Sequence, residues 1–212
     1  MRPLATLVIA VLSLSLISLA ADNDKTYKPD DEGYIHNWLI TEPIKLSEDV
    51  SEHSEDQEKP VFEKPFAKKD HSPKAGDKLK AGDQEVAWAA KESTEPILDL
   101  AAAFEGKENE GCMYLGVAYV MAPQEMKDVK LSIGSDDSSV WKLNGKEVIR
   151  IYAGRDCEKD TDQSPALTLN KGANVVHFAL TQGNGPTAVV ARFIDKEGKP
   201  VKDLAISLSP KK

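Results

Sequence analysis

The stretch from Val129 to Arg150 constrains the fold more than any other part of this chain. It reads VKLSIGSDDSSVWKLNGKEVIR, with apolar residues at every second position up to Ile133 and an apolar phase that resumes at Trp141. Alternation with a period of two is typical of a half-buried β-strand. The Asn-Gly pair at 144–145 supplies the residues that a type I′ hairpin turn requires at positive φ. The stretch therefore predicts a strand, an acidic turn, a strand, a hairpin turn and a strand.

Further short strands are predicted on both sides of this stretch. PILDLAAAF at 96–104 is either a helical turn, which its alanines favour, or an irregular segment. Short strands with turn signals at intervals of roughly eight to twelve residues favour an antiparallel sandwich. We therefore predict an all-β fold, an antiparallel β-sandwich (jelly roll) with long polar N-terminal loops and at most one or two short helical turns. The flanking strands are predicted at Ile35–Ile40, Glu85–Ala89, Cys112–Met121, Glu147–Tyr152, Ala166–Leu169, Ala173–Thr181, Ala188–Ile194 and Leu204–Leu208.

The first twenty residues are typical of a secretory signal peptide. One arginine precedes an apolar run, and Ser18, Leu19 and Ala20 form a small-residue cleavage site. An uncleaved membrane anchor is the alternative, although the run is short for a bilayer span. The sequence thus predicts a secreted, periplasmic or cell-envelope protein without stable membrane insertion after signal cleavage. Residues 21–33 are polar and are expected to form a flexible leader.

Residues 34–208 are expected to form a single β-sandwich domain, followed by a tail at 209–212. Within it, residues 45–80 are dense in charged residues and are expected to be largely a surface loop. Three apolar residues in this loop are predicted to attach it to the body, and its two histidines are either solvated or metal ligands. These residues are Val61, Phe62 and Phe66, and His53 and His71.

The charge of the chain argues against nucleic-acid binding. It has 27 lysine and arginine residues against 35 acidic ones, a formal net charge of −8. Binding to a phosphate backbone depends on a basic surface that releases counterions, and the sequence has no basic stripe.

Catalytic motifs are absent from the sequence, which has no GxSxG, HExxH or GxxxxGK[ST]. We therefore expect no enzymatic activity. Trp88 and Trp141 lie in predicted strands and are either core residues or rings that stack on a sugar. His177 is expected on the strand face opposite Val176 and Phe178, as an ordinary surface or hydrogen-bonded histidine.

Cys112 and Cys157 are the two cysteines of the chain. In an exported protein they are candidates for a disulfide, which would stabilise the fold by about 4 kcal/mol in the chain-entropy model. Two free thiols are the alternative. No Cys or His spacing suggests zinc.

Four motifs resemble the β-sandwich modules of the galactose-binding-like and anthrax protective-antigen-like type, which occur in bacterial envelope and polysaccharide-degrading proteins. The resemblance covers about residues 34–195 and depends on the order of the motifs. It implies a jelly roll and, as in many relatives, non-catalytic sugar binding. The motifs are YIHNWLITEP, AGDQEVAW with PILDLAAAF, GSDDSSVWKLNGKEV, and LTLNKGANVVHFALTQGNGPTAVVARF.

The resemblance also implies a site. In the calcium-dependent branch of such modules an Asp-Asp pair coordinates the ion that holds the sugar hydroxyls, and Asp136 and Asp137 match that pair. Calcium takes about six to eight oxygen ligands, so two adjacent carboxylates are a sensible start. A solvated turn, in which the Asp side chains bond their own backbone, is the alternative. Asn144, Arg155 and Asp156 complete the candidate ligand-binding set.

Two functions are therefore predicted from the sequence. The first is a lectin-like module that binds carbohydrate through the loops around Asp136 and residues 154–164, with calcium as a candidate cofactor. The second is a structural or protein-interaction module of the cell envelope, in which the acidic turn is only a turn and the partner is an envelope protein.

Overall fold

The computed structural model of the protein describes residues 25–211. The predicted signal peptide at 1–20 and the first residues of the predicted leader lie outside this range. In chain order, the described elements are β1 (Thr26–Tyr27), β2 (Asn37–Thr41), β3 (Ile44–Lys45), α1 (Glu55–Phe62), α2 (Pro65–Lys68), β4 (Lys78–Ala81), β5 (Gln84–Glu92), β6 (Leu98–Asp99), α3 (Leu100–Ala103), β7 (Cys112–Ala122), β8 (Met126–Asp136), β9 (Ser139–Leu143), β10 (Lys146–Ile151), β11 (Asp162–Gln163), β12 (Leu167–Leu169), β13 (Gly172–Gln182), β14 (Ala188–Ile194) and β15 (Ala205–Ser207).

Two antiparallel sheets form residues 25–211 of the molecule, which confirms the predicted all-β sandwich. The first sheet has the order β10-β9-β13-β7-β2-β5-β4, and β3 and β15 also pair with β7. The second sheet has the order β11-β8-β14-β6, and β12 also pairs with β8. Part of the predicted leader is ordered, because β1 pairs with β15 at Thr26–Ser207 and Tyr27–Ile206.

The predicted strand, turn and hairpin pattern of residues 129–150 is confirmed. The structure also shows which sheet each of its strands joins. Strand β8 belongs to the second sheet, where it pairs with β14, whereas β9 and β10 belong to the first sheet. The acidic turn after Asp136 is therefore the place where the chain passes from one sheet to the other. At the hairpin, Asn144 and Gly145 have φ values of 50° and 80°.

The core between the sheets is centred on three aromatic rings. Trp38, Trp141 and Phe178 contact one another with ring centroids 5.0–6.0 Å apart, and Trp38 and Trp141 are buried. Gly116 on β7 faces Phe178 on β13, and a Cβ at position 116 would lie 2.0 Å from that ring. The pairs formed by Trp38, Trp141 and Phe178 are tilted or edge-on, which are the arrangements that aromatic side chains prefer. Trp141 is thus a core residue, as one of the two predicted alternatives stated.

A second apolar cluster covers the outer face of the first sheet. Residues 46–75, which we call the cover segment, pass over this face and include α1 and α2. Val61 and Phe62 are buried and Phe66 is partly buried against the same cluster, so these three residues do attach the segment to the body. The segment is more structured than the surface loop that its charged composition predicted.

Helix α1 begins at a recognisable N-cap. The Ser54 hydroxyl accepts a hydrogen bond from the Gln57 backbone N–H at 3.4 Å, and acidic residues occupy the first turn, where the helix dipole favours negative charge. Pro60 is tolerated inside the helix, which is only eight residues long. Between residues 25 and 211, no helix is long and apolar enough to cross a membrane.

Candidate functional site

The acidic turn lies at the junction of the two sheets. Asp136 is the last residue of β8, opposite Ala188 of β14, and Asp137 follows it through a cis peptide bond. The two residues are only 7% and 6% exposed. Two adjacent carboxylates that are largely removed from water require compensating donors or cations. A carboxylate that already has such partners within the chain is less available to a ligand than one that has none.

Serine side chains hold the backbone of the turn. The Ser135 hydroxyl donates to the Asp137 carbonyl at 2.8 Å and also hydrogen-bonds the Ser139 hydroxyl at 2.8 Å. The Ser138 hydroxyl accepts from the Ala153 backbone N–H at 2.9 Å. The serines on both sides of the aspartate pair therefore tie the turn to its own strands and to the loop after β10.

Asp137 is already paired within the chain. Its Oδ1 accepts a hydrogen bond from the Arg155 backbone N–H at 3.0 Å, and its Oδ2 lies 3.1 Å from Nε2 of His53. The other ring nitrogen of His53 lies 3.2 Å from Oε1 of Glu58. Both ring nitrogens thus face carboxylate oxygens, which act as acceptors. The cover segment thereby supplies the partner of Asp137.

Two glycines form the slot that holds the His53 ring. A Cβ at Gly154 or at Gly183 would lie 2.9 Å from an atom of this ring, so a larger residue at either position would displace it. Glu58 is fully buried, and the Thr181 hydroxyl donates to its Oε1 at 2.5 Å. The position of His53 is therefore determined by α1, β13 and the loop after β10 together.

Sequence reasoning missed this role of His53 and did not single out Glu58. A local signal was present, because Ser-Glu-Asp-Gln at 54–57 has the S-x-x-Q pattern of a capping box. That pattern predicts a helix start at Ser54 and places His53 just before it. No local pattern predicts that this helix lies against the acidic turn, since the contact joins residues more than 80 positions apart.

Asp136, in contrast, accepts no hydrogen bond from a donor group anywhere in residues 25–211. Burial, the negative charge of Asp137, a side-chain hydrogen bond with Asp137 and the negative charge of Asp156 together raise the pKa of its carboxyl to about 7. His53 acts in the opposite direction. Asp136 is consequently the member of the pair whose charge is least compensated, and the predicted site residue Asp156 is its exposed acidic neighbour.

Arg155 has a positioning role in the structure. Its guanidinium donates to the Ser135 carbonyl at 3.1 Å, to the Ser135 hydroxyl at 2.9 Å and to Asp162 at 2.6 Å. The loop that it holds lies directly on β8, because a Cβ at Gly134 would be 1.9 Å from the Glu158 carbonyl oxygen. Arg155 thus lies at the predicted site, but its guanidinium already donates hydrogen bonds to Ser135 and Asp162.

Asn144 lies apart from the other predicted site residues, and its role in ligand binding stays a prediction. It lies in the hairpin turn at the far end of β9 from Asp137. Its Oδ1 accepts from the Val175 backbone N–H at 2.8 Å, and its Nδ2 donates to the buried Asn174 at 3.0 Å. A residue at positive φ that bonds the neighbouring strand stabilises the hairpin.

The structure does not contain the predicted disulfide. Cys112 and Cys157 are both free. Cys112 is buried at the start of β7, where its Sγ donates to the Asn109 carbonyl at 3.0 Å. Cys157 lies in the loop beside Asp136, whose charge acts on it. Burial raises the pKa of both thiols to about 12, which keeps them protonated and unreactive.

Calcium remains a prediction at this site. Within residues 25–211, no group of three or more His, Cys, Asp or Glu side chains is placed to hold a metal ion. The oxygen donors of the aspartate pair suit calcium chemically. One of them, Oδ2 of Asp137, already faces His53, so an ion that uses it has to compete with this ring.

No known protein-family profile and no curated protein matches the chain. Among solved structures, it is similar to the PA14 domain of the antifreeze protein MpAFP, with 11% identity over 87% of this chain and 93% of that one and a TM-score of 0.44. It is also similar to the epithelial adhesin 9 A domain from Candida glabrata in complex with Galβ1-4GlcNAc, with 11% identity over 86% and 97% of the two chains and a TM-score of 0.43.

A third similarity is to a β-glucosidase from Kluyveromyces marxianus in complex with glucose, with 18% identity over 61% of this chain and a TM-score of 0.40. The matched part is only 16% of the length of that enzyme. All three TM-scores lie below 0.5. The function of this chain therefore has to be argued from its own residues, and its assignment to the galactose-binding-like or protective-antigen-like modules stays a prediction.

Proposed function

We propose that the protein is a non-catalytic carbohydrate-binding module whose site is the acidic turn at Asp136 and Asp137. The observation that supports the proposal most directly is the uncompensated carboxylate of Asp136. It is 7% exposed and accepts no hydrogen bond from a donor in residues 25–211, whereas Asp137 is paired with His53 and Arg155. A ligand that brings donors to Asp136 relieves the cost of burying it.

Sugar hydroxyls suit this position. A carboxylate accepts hydrogen bonds at two oxygens, and neighbouring hydroxyls of a saccharide ring present two donors at a matching spacing. Hydrogen bonds to a charged group are stronger than those between neutral groups. Asp156 is exposed beside Asp136 and would accept from a further hydroxyl. Ser135 and Arg155 would keep the turn and its neighbouring loop in place during binding.

Calcium is the proposed cofactor of this site. Asp136 and Asp137 would hold the ion, and the ion would supply positive charge to which sugar hydroxyls coordinate. Binding at Asp137 would compete with His53, so the ion is expected to bind weakly in the unaltered protein. Carbohydrate binding with and without calcium separates direct recognition by the carboxylates from recognition through the ion.

The arrangement of the pair supports a non-catalytic role. Glycoside hydrolysis requires an acid and a second carboxylate that flank the scissile bond. Asp136 and Asp137 are consecutive residues in one turn, and Asp137 is occupied by His53. We therefore assign them to binding and expect no hydrolysis of the bound saccharide.

A glycan array tests the proposal, with the protein applied in calcium and in chelator. Galβ1-4GlcNAc is a reasonable first probe, because a solved domain of similar fold is described in complex with it. We expect Asp136→Asn to weaken binding at least about tenfold, which is the loss of one charged hydrogen bond. Asp83→Asn is the matched control, since Asp83 is an exposed aspartate in the turn between β4 and β5.

Two results would contradict the proposal. Absence of binding to every glycan in both conditions would favour the second predicted function, an interaction module that docks an envelope protein. Binding that survives in Asp136→Asn at the strength of the control would place the carbohydrate site elsewhere on the molecule.

A further inference from the structure

A cavity of about 290 Å³ lies between the outer face of the first sheet and the cover segment. Phe62 and His71 of the cover segment line it, together with Trp88, Val140 and His177 of the sheet. No residue of the acidic turn contributes to it. An apolar cavity of about 150 Å³ is large enough for benzene. The volume here therefore suits one six-membered ring that carries small substituents.

Side chains of the sheet attach the cover segment above this cavity. Nζ of Lys142 donates to the Lys68 carbonyl at 2.7 Å, and Nε2 of His177 lies 2.6 Å from the His71 carbonyl oxygen. Both bonds go to the backbone of the cover segment rather than to its side chains. The cavity is thus a built part of the fold, with one wall formed by regular strands and the other by a segment held at a few points.

His177 presents an unused acceptor in these surroundings. A carbonyl oxygen can only accept, so Nε2 of His177 carries the proton that it shares with His71. Burial lowers the pKa of His177, which favours the neutral ring. Its Nδ1 then has a free lone pair, is buried, and has no hydrogen-bond partner within residues 25–211. An unsatisfied buried acceptor is costly. This nitrogen is not exposed in the structure, so a hydroxyl donor of a ligand reaches it when the ring or the cover segment shifts.

The charges around the cavity favour a neutral or anionic ligand. Lys142 pairs with Asp70 at 3.2 Å, and Arg150 pairs with Glu147. The remaining charged groups of the lining leave one positive charge in excess, although the whole chain carries −8. These remaining groups are Lys68, Lys69 and Glu63.

We infer that this cavity is a binding site for a small phenolic molecule, a hydroxylated single aromatic ring that is neutral or carries one negative charge. Its hydroxyl donates to Nδ1 of His177, and its ring packs against Trp88 and Phe62. Aromatic rings in tilted or edge-on contact stabilise one another beyond the area that they bury. An acidic substituent would point to the cavity mouth, where Lys68 and Lys69 lie exposed.

Titration of the full chain with 4-hydroxybenzoate and with benzoate tests this inference, with ligand-observed NMR or calorimetry as the readout. The two probes differ only in the hydroxyl, so 4-hydroxybenzoate is expected to bind about tenfold more tightly, the effect of one buried hydrogen bond. His177→Phe should abolish this preference, because it removes the acceptor and keeps an aromatic side chain. Asp83→Asn should leave both affinities unchanged.

A second variant fills the cavity itself. Ala67 of α2 lines the cavity, and Ala67→Phe should abolish binding of both probes while the unfolding midpoint is unchanged or raised. Equal affinities for the two probes in the unaltered protein would overturn the inference. So would binding that persists in Ala67→Phe, or no binding of 4-hydroxybenzoate up to about 10 mM, a concentration that corresponds to negligible affinity. The last result would mean that the cavity does not accept a hydroxylated aromatic ring.

Discussion

The two faces of β7 are both buried, but they are covered in different ways. Tyr114 and Val120 point inward, into the core between the two sheets. Leu115 and Val117 point outward, into the cluster beneath the cover segment. Regular strands with ladder hydrogen bonds close the inner side. A segment rich in charged residues closes the outer side, and a few side chains attach it.

The difference between the two coverings indicates which part of the sandwich is suited to binding sites. The inner core consists of side chains whose positions are set by two sheets, so a change there acts on the whole fold. The outer layer contains the cavity at His177 and delivers His53 to the acidic turn. Segments with few attachments open at lower free energy than core strands, and binding sites often involve them. We therefore expect the outer layer to influence both proposed binding sites.

Trp141→Ala should have the largest effect of the changes proposed. Trp141 is fully buried and contacts Trp38 and Phe178, so its truncation is expected to destabilise the protein by about 3–5 kcal/mol. Denaturant unfolding, followed by circular dichroism, measures the loss. A loss below about 1 kcal/mol would be typical of a surface substitution and would contradict the central position of this ring.

His53→Ala should have the next largest effect. It removes a partner from Asp137 and from the fully buried Glu58, and loss of hydrogen bonds to charged groups is expected to cost about 2–3 kcal/mol. A double-mutant cycle with Glu58→Gln provides the control, because the two changes should be less than additive if the residues interact. Additive effects would mean that the contact between His53 and Glu58 contributes nothing to the free energy of unfolding.

The same substitution also sharpens the proposed role of calcium. It releases Oδ2 of Asp137 from the imidazole, so calcium should raise the unfolding midpoint more in His53→Ala than in the unaltered protein. Differential scanning fluorimetry at several calcium concentrations measures this. An identical response in both proteins would show that His53 and the ion do not compete.

Val61→Ala tests the independence of the outer layer. Val61 is a fully buried residue of α1, on the side that faces the sheet. Loss of its two methyl groups is expected to reduce the free energy of unfolding by about 1–2 kcal/mol. Hydrogen exchange followed by mass spectrometry should reveal faster exchange in residues 50–75 than in β13. Equal acceleration in both regions would mean that the cover segment unfolds together with the inner core, and the distinction between the two faces would then fail.

The sequence predicted the regular part of this fold because that part is periodic. The alternation in β8 and β13 and the Asn-Gly turn at 144–145 are local patterns, and each has one structural meaning. The passage of the chain between sheets at Asp137 has no such pattern, since alternation defines which residues share a face and not which sheet a strand joins. The hairpin was therefore predicted correctly while its distance from the acidic turn was not.

The cover segment was underestimated for a different reason. The predicted loop at 45–80 is dense in charged residues, and the few apolar residues that attach it give little signal in an average over its 36 positions. The stronger signal was in β7, where Met113, Leu115 and Val117 are apolar on the face opposite the core. A strand that is apolar on both faces requires a layer on each side. That requirement, rather than the composition of the loop, predicts an ordered cover.

Asp136→Asn should have the smallest effect, and the size of this effect depends on pH. The pKa of Asp136 is about 7 in the folded protein, above its usual value of 3.8. Between these two values the unfolded chain has lost the proton that the folded chain keeps, so the unfolded state binds fewer protons and stability falls as the pH rises. Above about pH 7 the folded protein retains the full cost of burying the charge. Asparagine removes this cost without changing the shape of the side chain.

The variant should therefore be more stable than the unaltered protein at pH 8, by about 2–4 °C in the unfolding midpoint, which corresponds to roughly 1 kcal/mol for a chain of this size. The difference should shrink towards zero at pH 4, where Asp136 is protonated in the folded state. Asp83→Asn changes an exposed carboxylate and should shift the midpoint equally little at both pH values. If Asp136→Asn stabilises equally at pH 4 and pH 8, burial of a charge at the sheet junction is not the cause. If it destabilises at pH 8, the ionised carboxylate has a partner that holds the two sheets together, and the junction then belongs to the rigid inner core rather than to a site open to ligands.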